Sequence, residues 1–339
     1  MSPVLRILAA AAVAGCCLTS SHVISAQAPA GKPAAKGTAT AKAWVPPRTA
    51  DGQPDLEGVW DYRTATPLER PAAFKDKPFL TDAEVADYER RTAARADGRQ
   101  LEDPRTDPSV QAPEWLDYGK KMAGSNRSSL VVDPADGRIP ALTPDGLKRD
   151  AERRAASRTR GPADDPENRT SWERCITRGL PEGVLPAGYN NNIQIVQAPG
   201  YVVLLMEMIH DARIVPLDGR ARLPGGLTRW MGDSRGHWEG STLVIETTNF
   251  SSKANFRGAG ERLHLVERLT RTGEDTIDYR FTVDDATTWV TPWTVALPLV
   301  RSEGELYEYA CHEGNRGLEN ILSQARSSER AERAGLLKK

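Results

Sequence analysis

Short segments of alternating apolar and polar residues fill residues 193–311, and they constrain the fold more than any other feature of the chain. In residues 276–283, Ile277, Tyr279 and Phe281 share one side and polar residues occupy the other. Turn signals such as Ala198-Pro199-Gly200 and Asp218-Gly219 separate neighbouring segments. Roughly nine such strands without intervening helices predict a mainly β fold, an antiparallel barrel or strongly curved sheet. A β-propeller is the alternative, because three of the strand segments read as repeats of one blade strand.

Residues 67–168 have a different character and predict a helical insertion. Thr81 and Glu84 form a capping box that begins a helix over residues 81–96. Thr143-Pro144 begins a second, highly charged helix that ends near residue 160. A polar C-terminal helix is predicted over residues 315–333. We therefore expect one β-rich domain over residues 47–335.

The first residues predict export. A single early positive charge precedes an apolar run, residues 7–15, that is too short to span a bilayer, which is typical of a signal peptide over residues 1–25. Residues 26–46 are rich in Ala, Pro, Gly and Lys and predict a flexible linker. Val13-Ala14-Gly15-Cys16 also resembles a lipobox, which would place a lipid on Cys16. The expected location is periplasmic or secreted, with membrane contact only through that lipid.

Charge and motif content narrow the function classes. The 45 Lys and Arg residues nearly balance the 46 Asp and Glu residues, so no field of one sign would attract nucleic acid. No phosphate loop, dinucleotide fingerprint or H-E-x-x-H motif is present, so we expect no cofactor. The partner that remains is a small molecule, as ligand or substrate.

Two cysteines lie beyond the export segment, Cys175 and Cys311. An oxidising compartment favours their pairing, so a disulfide is predicted. The alternative makes Cys311-His312-Glu313 part of a thiol or metal site, but no C-x-x-C spacing supports it.

Polar chemistry concentrates in residues 230–250, where a glycine-punctuated loop is predicted to lead into a strand over residues 243–248. Asp233, Arg235, His237 and Glu239 alternate along this loop. Together they provide one cavity with a proton donor, a proton acceptor and a cationic group that binds an anion. The alternative interpretation is a salt-bridged loop edge.

A second polar group, His210-Asp211-Ala212-Arg213, follows the apolar strand predicted over residues 201–209. A carboxylate beside a histidine fixes its tautomer and raises its basicity. Alternatively, Asp211 and Arg213 form a structural ion pair and His210 belongs to the core. The predicted catalytic residues are His210, Asp211, Asp233 and His237. The predicted substrate-binding residues are Arg213, Arg235, Glu239, Asn249, Glu308 and His312.

A zinc site can be drawn from His210, His237 and either His264 or His312, but these spacings match no known short signature, so no metal is expected.

The stretch Gly58-Val59-Trp60 resembles the G-x-W strand of lipocalin-like (calycin) barrels, and Gly236-His237-Trp238 matches the same pattern. The resemblance implies a barrel with a Trp at its closed end. Over residues 47–326 the chain also resembles a group of secreted proteins of soil bacteria. The stretches that carry this resemblance are PRTADGQPDLEGVWDY, RCITRGLP, EMIHDARIVPLDG, GDSRGHWEG and YEYACHEGN. It implies export and no particular activity.

Two function classes follow. The first is an exported hydrolase or lyase that uses acid/base side chains in a polar cavity to act on a small molecule. The second is a non-catalytic, lipocalin-like carrier of a small apolar or aromatic ligand. An enzyme needs convergent titratable groups in its cavity, whereas a carrier needs an apolar one.

Overall fold

Ten antiparallel strands form one sheet that closes almost completely into a barrel. They belong to a computed structural model that describes residues 44–100, 116–161, 163–311, 313–314 and 316–336. The strands are β1 (Gly58–Asp61), β2 (Val131–Asp133), β3 (Asn192–Ala198), β4 (Tyr201–Met206), β5 (Ala212–Pro216), β6 (Asp233–Glu239), β7 (Thr242–Thr248), β8 (His264–Gly273), β9 (Thr276–Asp284) and β10 (Trp293–Arg301). The predicted mainly β barrel is confirmed, and the propeller alternative is wrong, because all strands share one sheet.

The hydrogen-bonded strand order is β5-β4-β3-β1-β10-β9-β8-β7-β6. Strand β1 pairs with the end of β10, and β2 pairs with the other end of β10, at Val295 and Thr294. Strands β5 and β6 lie side by side at the two ends of this order without ladder hydrogen bonds. We call the gap between them the seam. It is the one place where the circuit of the barrel wall is not closed by backbone pairing among the described residues.

The barrel interior is filled by side chains from alternating strand positions. In β8, β9 and β10 every second residue is buried, because successive side chains of a strand point to opposite faces. Trp60, Phe281 and Trp293 are among the largest fully buried side chains of this core. Trp60 lies between the guanidinium groups of Arg271 and Arg301, 5.6 and 4.6 Å from its ring. The resemblance to lipocalin-like barrels stays a prediction.

Three α-helices lie outside the sheet: α1 (Asp82–Gln100), α2 (Pro144–Thr159) and α3 (Gly317–Arg333). The capping box is confirmed, since Glu84 N donates to Thr81 Oγ1 and Thr81 N donates to Glu84 Oε2. Thr143 Oγ1 likewise caps α2 by accepting from Gly146 N. Polar side chains at these caps satisfy amide groups that have no partner within the helix.

The predicted polar loop before β7 is wrong in part, since residues Asp233–Glu239 form strand β6. Its glycines and charges are typical of a turn, but Ser234 and Gly236 are buried on the inner face and the charged residues take the outer face. Gly236 is needed for close approach: a Cβ there would lie 2.7 Å from Leu217 Cδ2 and 2.9 Å from Val215 Cγ1. The missing side chain lets β6 approach β5 at the seam.

Two predicted strand segments end differently in the structure. The apolar run 201–209 stops being a strand at Met206, and Met208–His210 forms a short 3-10 turn. Residues 305–311, predicted as a last strand, are irregular. Their backbone is not paired in the sheet, because β1 and β2 already occupy the edge of β10.

Cys175 and Cys311 form the predicted disulfide, with their Cα atoms 5.7 Å apart. The bond ties the irregular segment after β10 to the segment that precedes β3. It is consistent with an oxidising compartment. The predicted signal peptide and most of the linker lie outside the described residues. Within the described residues, no helix is both long and apolar enough to cross a membrane.

Candidate functional site

The connection between β5 and β6, residues 217–232, crosses the seam and is held by side chains of β6. Asp233, 3 % exposed, accepts from Leu223 N through Oδ2 at 2.9 Å. Its Oδ1 accepts from Arg235 Nη1 at 2.6 Å. Arg235 also donates to the carbonyl of Ala221 at 2.9 Å. These two predicted site residues therefore fold the connection over the strand edges.

Asn249, predicted to bind substrate, also holds this connection. Its Nδ2 lies 3.0 Å from the carbonyl oxygen of Leu223 and within 3.4 Å of those of Pro224 and Leu227. With φ of 55°, Asn249 occupies the left-handed region, which Asn tolerates better than most residues. Its side-chain amide thus contacts three backbone carbonyl groups that are not paired with a strand. The contacts that we observe for Asn249 are structural.

A cavity of about 550 Å³ lies in the seam, and we call it the seam cavity. It is lined by Ala212, Arg213, Ile214, Pro216, Arg220, Ala221, Leu223, Arg229, Met231, Gly232, Asp233, Ser234 and Arg235. Four arginines and one carboxylate therefore face it, and no lining residue is a histidine. Three of the predicted site residues, Arg213, Asp233 and Arg235, meet here.

The charges around the seam cavity do not cancel. Arg213 pairs with Glu267, Arg220 with Asp218 and Arg235 with Asp233. Arg229 is exposed and makes no ion pair or side-chain hydrogen bond with the described residues. The excess of one guanidinium favours an anionic ligand, because guanidinium groups bind carboxylate and phosphate through several N–H donors.

Arg213 enters the barrel interior, where it meets a carboxylate that the sequence analysis missed. Its Nη1 and Nη2 donate to Glu267 Oε2 and Oε1 at 2.6 and 3.0 Å. The Tyr279 hydroxyl donates to the same Oε1 at 2.7 Å. Burial lowers the pKa of Arg213, but the charge and hydrogen bonds of Glu267, together with Tyr279, outweigh burial and the pKa is raised. Burial, and then the Glu267 charge, raise the pKa of Tyr279 well above its usual value. The pair is bidentate and shielded from water.

The connection between β4 and β5, residues 207–211, is strained. Ile209 has φ of 59° and His210 has φ of 44°. A β-branched residue rarely occupies this left-handed region, and such strain concentrates at functional sites. Glu207 is 2 % exposed and accepts from Asn192 Nδ2 at 2.8 Å and from Tyr307 N at 3.3 Å. The strained turn is thus anchored to β3 and to the segment after β10.

Asp211 ends this turn and directly precedes Ala212, which lines the seam cavity, although Asp211 is not itself among the lining residues. Its Oδ2 accepts from Thr177 Oγ1 at 2.8 Å and from Arg178 N at 3.1 Å. Its Oδ1 accepts no hydrogen bond from the described residues. Burial raises the pKa of Asp211 above its usual value, although these two hydrogen bonds and the neighbouring His210 act in the opposite direction. One oxygen is fixed, then, and the other is left for a further partner.

The two predicted catalytic histidines are not among the lining of the seam cavity. His210 is exposed and its ring makes no hydrogen bond with the described residues. His237 lies on the outer face of β6, opposite Val244 of β7, where its Nε2 is 3.2 Å from Glu239 Oε1. Hydrogen bonds from Arg268, and then from His237, hold the pKa of Glu239 below its usual value. His237 and Glu239 form an exposed polar chain on the barrel surface.

The remaining predicted residues lie elsewhere. Glu308 is exposed in the irregular segment after β10, and His312 lies outside the described residues. His264 Nε2 is 3.4 Å from Glu246 Oε2 on the barrel exterior. Among the described residues, no three His, Cys, Asp or Glu side chains are grouped so that they could hold a metal ion.

Sequence reasoning missed Glu267, Thr177 and Arg229. A signal for Glu267 was present, because it occupies the apolar phase of β8 between Leu265 and Leu269. A charged residue at a buried strand position requires a buried partner. Thr177 and Arg229 carry no comparable signal, since both are polar residues in irregular segments.

The chain matches no protein-family model, and no curated protein is significantly similar to it.

Proposed function

We propose that this protein is an exported hydrolase or lyase. It binds a small molecule with an anionic group in the seam cavity and exchanges a proton with that molecule through Asp211. The observation that carries the proposal is the state of Asp211: one carboxylate oxygen is fixed by Thr177 and Arg178, and the other accepts no hydrogen bond from the described residues.

The chemistry of Asp211 fits proton transfer. A general acid or base works best when its pKa lies near the working pH, and burial moves the pKa of Asp211 upward in that direction. Asp233, the other carboxylate at the cavity, is engaged by Arg235 and by Leu223 N. Asp211 is therefore the carboxylate that is left for a substrate.

The arginines of the seam cavity are the reason for proposing that the substrate carries an anionic group. Arg229 has no carboxylate partner among the described residues, and it lines the cavity, where it would be within reach of a bound molecule. A volume of about 550 Å³ lies in the range of small-molecule sites.

The binding half of the proposal is tested by calorimetry with small mono- and dicarboxylates and inorganic phosphate, using the matching amides as neutral controls. Arg229→Gln should weaken anion binding by about tenfold, since a charge-assisted hydrogen bond is lost. Arg262→Gln is the matched control, because Arg262 is also exposed but does not line the cavity. Equal affinities in the two variants would remove the anion site from the seam.

The catalytic half is tested with carboxylate-bearing esters and β-hydroxy acids as substrates. Asp211→Asn keeps acceptors for Thr177 and Arg178 but cannot transfer a proton, so kcat should fall by about 10²-fold or more with little change in binding. If the wild-type protein binds these compounds and always returns them unchanged, the carrier interpretation replaces the enzyme.

A further inference from the structure

A second cavity, of about 540 Å³, is lined by helix α1 and connecting segments and by no strand residue. Its lining comes from residues 64–68, from α1, from 118–119, from 182–188, and from Leu130 and Arg257. We call it the lateral cavity. It shares no lining residue with the seam cavity.

Hydrogen bonds between the connecting segments hold the walls of the lateral cavity in place. Asp117 N donates to the Gly188 carbonyl, and Ala65 N donates to the Lys121 carbonyl, each at 2.6 Å. At Gly119 a Cβ would lie 2.3 Å from Thr64 N, so only glycine allows these two segments to pack so closely. These contacts hold together the backbone segments that bound the lateral cavity.

The inside of the lateral cavity combines apolar and aromatic surface with one buried hydroxyl group that has no hydrogen-bond partner among the described residues. Leu68, Leu130 and Leu185 pack against the barrel core and also face the cavity. The rings of Tyr88 and Tyr118 add flat apolar surface. That hydroxyl belongs to Thr92, which makes no hydrogen bond with the described residues. A buried polar group without a partner is uncommon in native proteins and requires an explanation, which a ligand would supply.

The rim carries an excess of positive charge. Arg95 of α1 and Arg257 of the β7–β8 connection are exposed and form no ion pair with the described residues. Glu182 is the one carboxylate in the lining. An aromatic interior beneath two unpaired guanidinium groups is complementary to a flat apolar body with an acidic end.

We propose that the lateral cavity is a second binding site, which takes a small aromatic carboxylate. The ring lies against Tyr88, Tyr118 and the leucine surface, and the carboxylate faces Arg95 and Arg257. The site is independent of the seam cavity and of the reaction proposed there.

Calorimetry on the exported, disulfide-bonded protein tests this site with 1-naphthoate as probe. The comparison compounds are 1-naphthylmethanol, which keeps the rings without the charge, and propionate, which keeps the charge without the rings. Arg95→Gln and Arg257→Gln should each weaken 1-naphthoate binding by about tenfold and leave 1-naphthylmethanol binding unchanged. Glu182→Gln should strengthen 1-naphthoate binding, because it removes a like charge.

Two further variants fix the location. Thr92→Leu fills part of the cavity and should weaken both naphthyl compounds, with circular dichroism to confirm that the fold is kept. Arg90→Gln is the control on the same helix, because Arg90 does not line the cavity. Unchanged 1-naphthoate affinity in the Arg95→Gln/Arg257→Gln double variant would overturn the proposal. So would loss of that affinity in Arg229→Gln alone, because the probe would then occupy the seam cavity. If the wild-type protein binds 1-naphthoate but binds no small anion at the seam cavity, only the proposed function is overturned.

Discussion

Two charged clusters of similar composition lie on opposite sides of the barrel wall. Inside, Arg213, Glu267 and Tyr279 share hydrogen bonds of 2.6 to 3.0 Å, and the side chains of Arg213 and Glu267 are 4 % and 0 % exposed. Outside, Arg268 and His237 contact Glu239, and about half of each of the latter two side chains is exposed. Each cluster centres on a glutamate between two partners.

The inner pair is bidentate and the outer one is not, but the larger difference between the clusters is their exposure to solvent. Water screens the outer cluster and can replace either partner after a substitution, so the loss of one group costs little. Inside the barrel a charge that loses its partner stays buried and unpaired. We therefore expect burial, and not residue type, to rank the effects of substitutions in this protein.

The largest effect is expected at Glu267. Glu267→Ala leaves Arg213 charged and unpaired in the interior, which should lower the free energy of unfolding by about 3–5 kcal/mol. Urea unfolding at neutral pH measures this change. Glu239→Ala is the matched control on the outer face, and its melting temperature should stay within about 2 °C of wild type. Equal losses of stability in Glu267→Ala and Glu239→Ala would show that burial does not determine the cost of losing the glutamate.

The double variant Arg213→Met/Glu267→Leu sharpens the same point. Removing both charges avoids the unpaired group, so the double variant should be more stable than Glu267→Ala. A double-mutant cycle gives the coupling between the two positions. If the double variant is less stable than Glu267→Ala, the charged pair contributes to stability by more than avoiding an unpaired buried charge.

The next effect is expected at Gly236, on the inner face of β6. Gly236→Ala brings a Cβ within 3.0 Å of Leu217 and Val215, and the overpacking should cost about 1–3 kcal/mol. Thermal or urea unfolding measures it. Gly226→Ala is the control, since nothing lies within 4 Å of a Cβ placed there. If Gly236→Ala is as stable as Gly226→Ala, the seam is looser than its contacts indicate.

A smaller, pH-dependent effect is expected at Asp211, whose burial is intermediate. Its pKa is higher in the folded than in the unfolded protein, so protonation favours the folded state. This stabilisation is complete below the unfolded pKa, near 3.9, and is lost as the pH rises through the folded value. Melting curves across this range should show Asp211→Asn gaining stability relative to wild type as the pH rises. The opposite trend would mean that the charged form is favoured.

The smallest effect is expected at His237. His237→Ala removes an exposed ring whose described contact is Glu239, so the melting temperature should change by no more than about 2 °C. Because His237 does not line the seam cavity, turnover at that cavity should also persist. A loss of turnover of about 10²-fold in a stable variant would restore His237 as a proton-transfer group.

The strands and caps could be predicted because their signals are local. Alternation along β9 and the Thr81–Glu84 capping box depend on neighbours within a few residues. The disulfide was predicted by counting the cysteines of a chain that we expected to be exported. The end of β4 could not be predicted, because Met208 and Ile209 continue the apolar pattern while the backbone turns into the left-handed region.

The candidate site was harder to predict because it depends on contacts between distant strands. Arg213 and Glu267 are separated by 54 residues, and nothing near Arg213 indicates its partner. From the sequence, Asp233 is predicted to be catalytic and Arg235 to bind substrate. Their contacts with Leu223 and Ala221, which fold the connection across the seam, appear only in the structure.

The covering of the seam also bears on how copies of this protein behave toward each other. Strands β5 and β6 each carry one side of unpaired backbone N–H and C=O groups, and exposed edges of this kind recruit strands from other molecules. Residues 217–232, fastened by Asp233, Arg235 and Asn249, cover both edges at once. We therefore expect the same polar side chains that shape the cavity to limit pairing of the two strand edges with strands of other molecules.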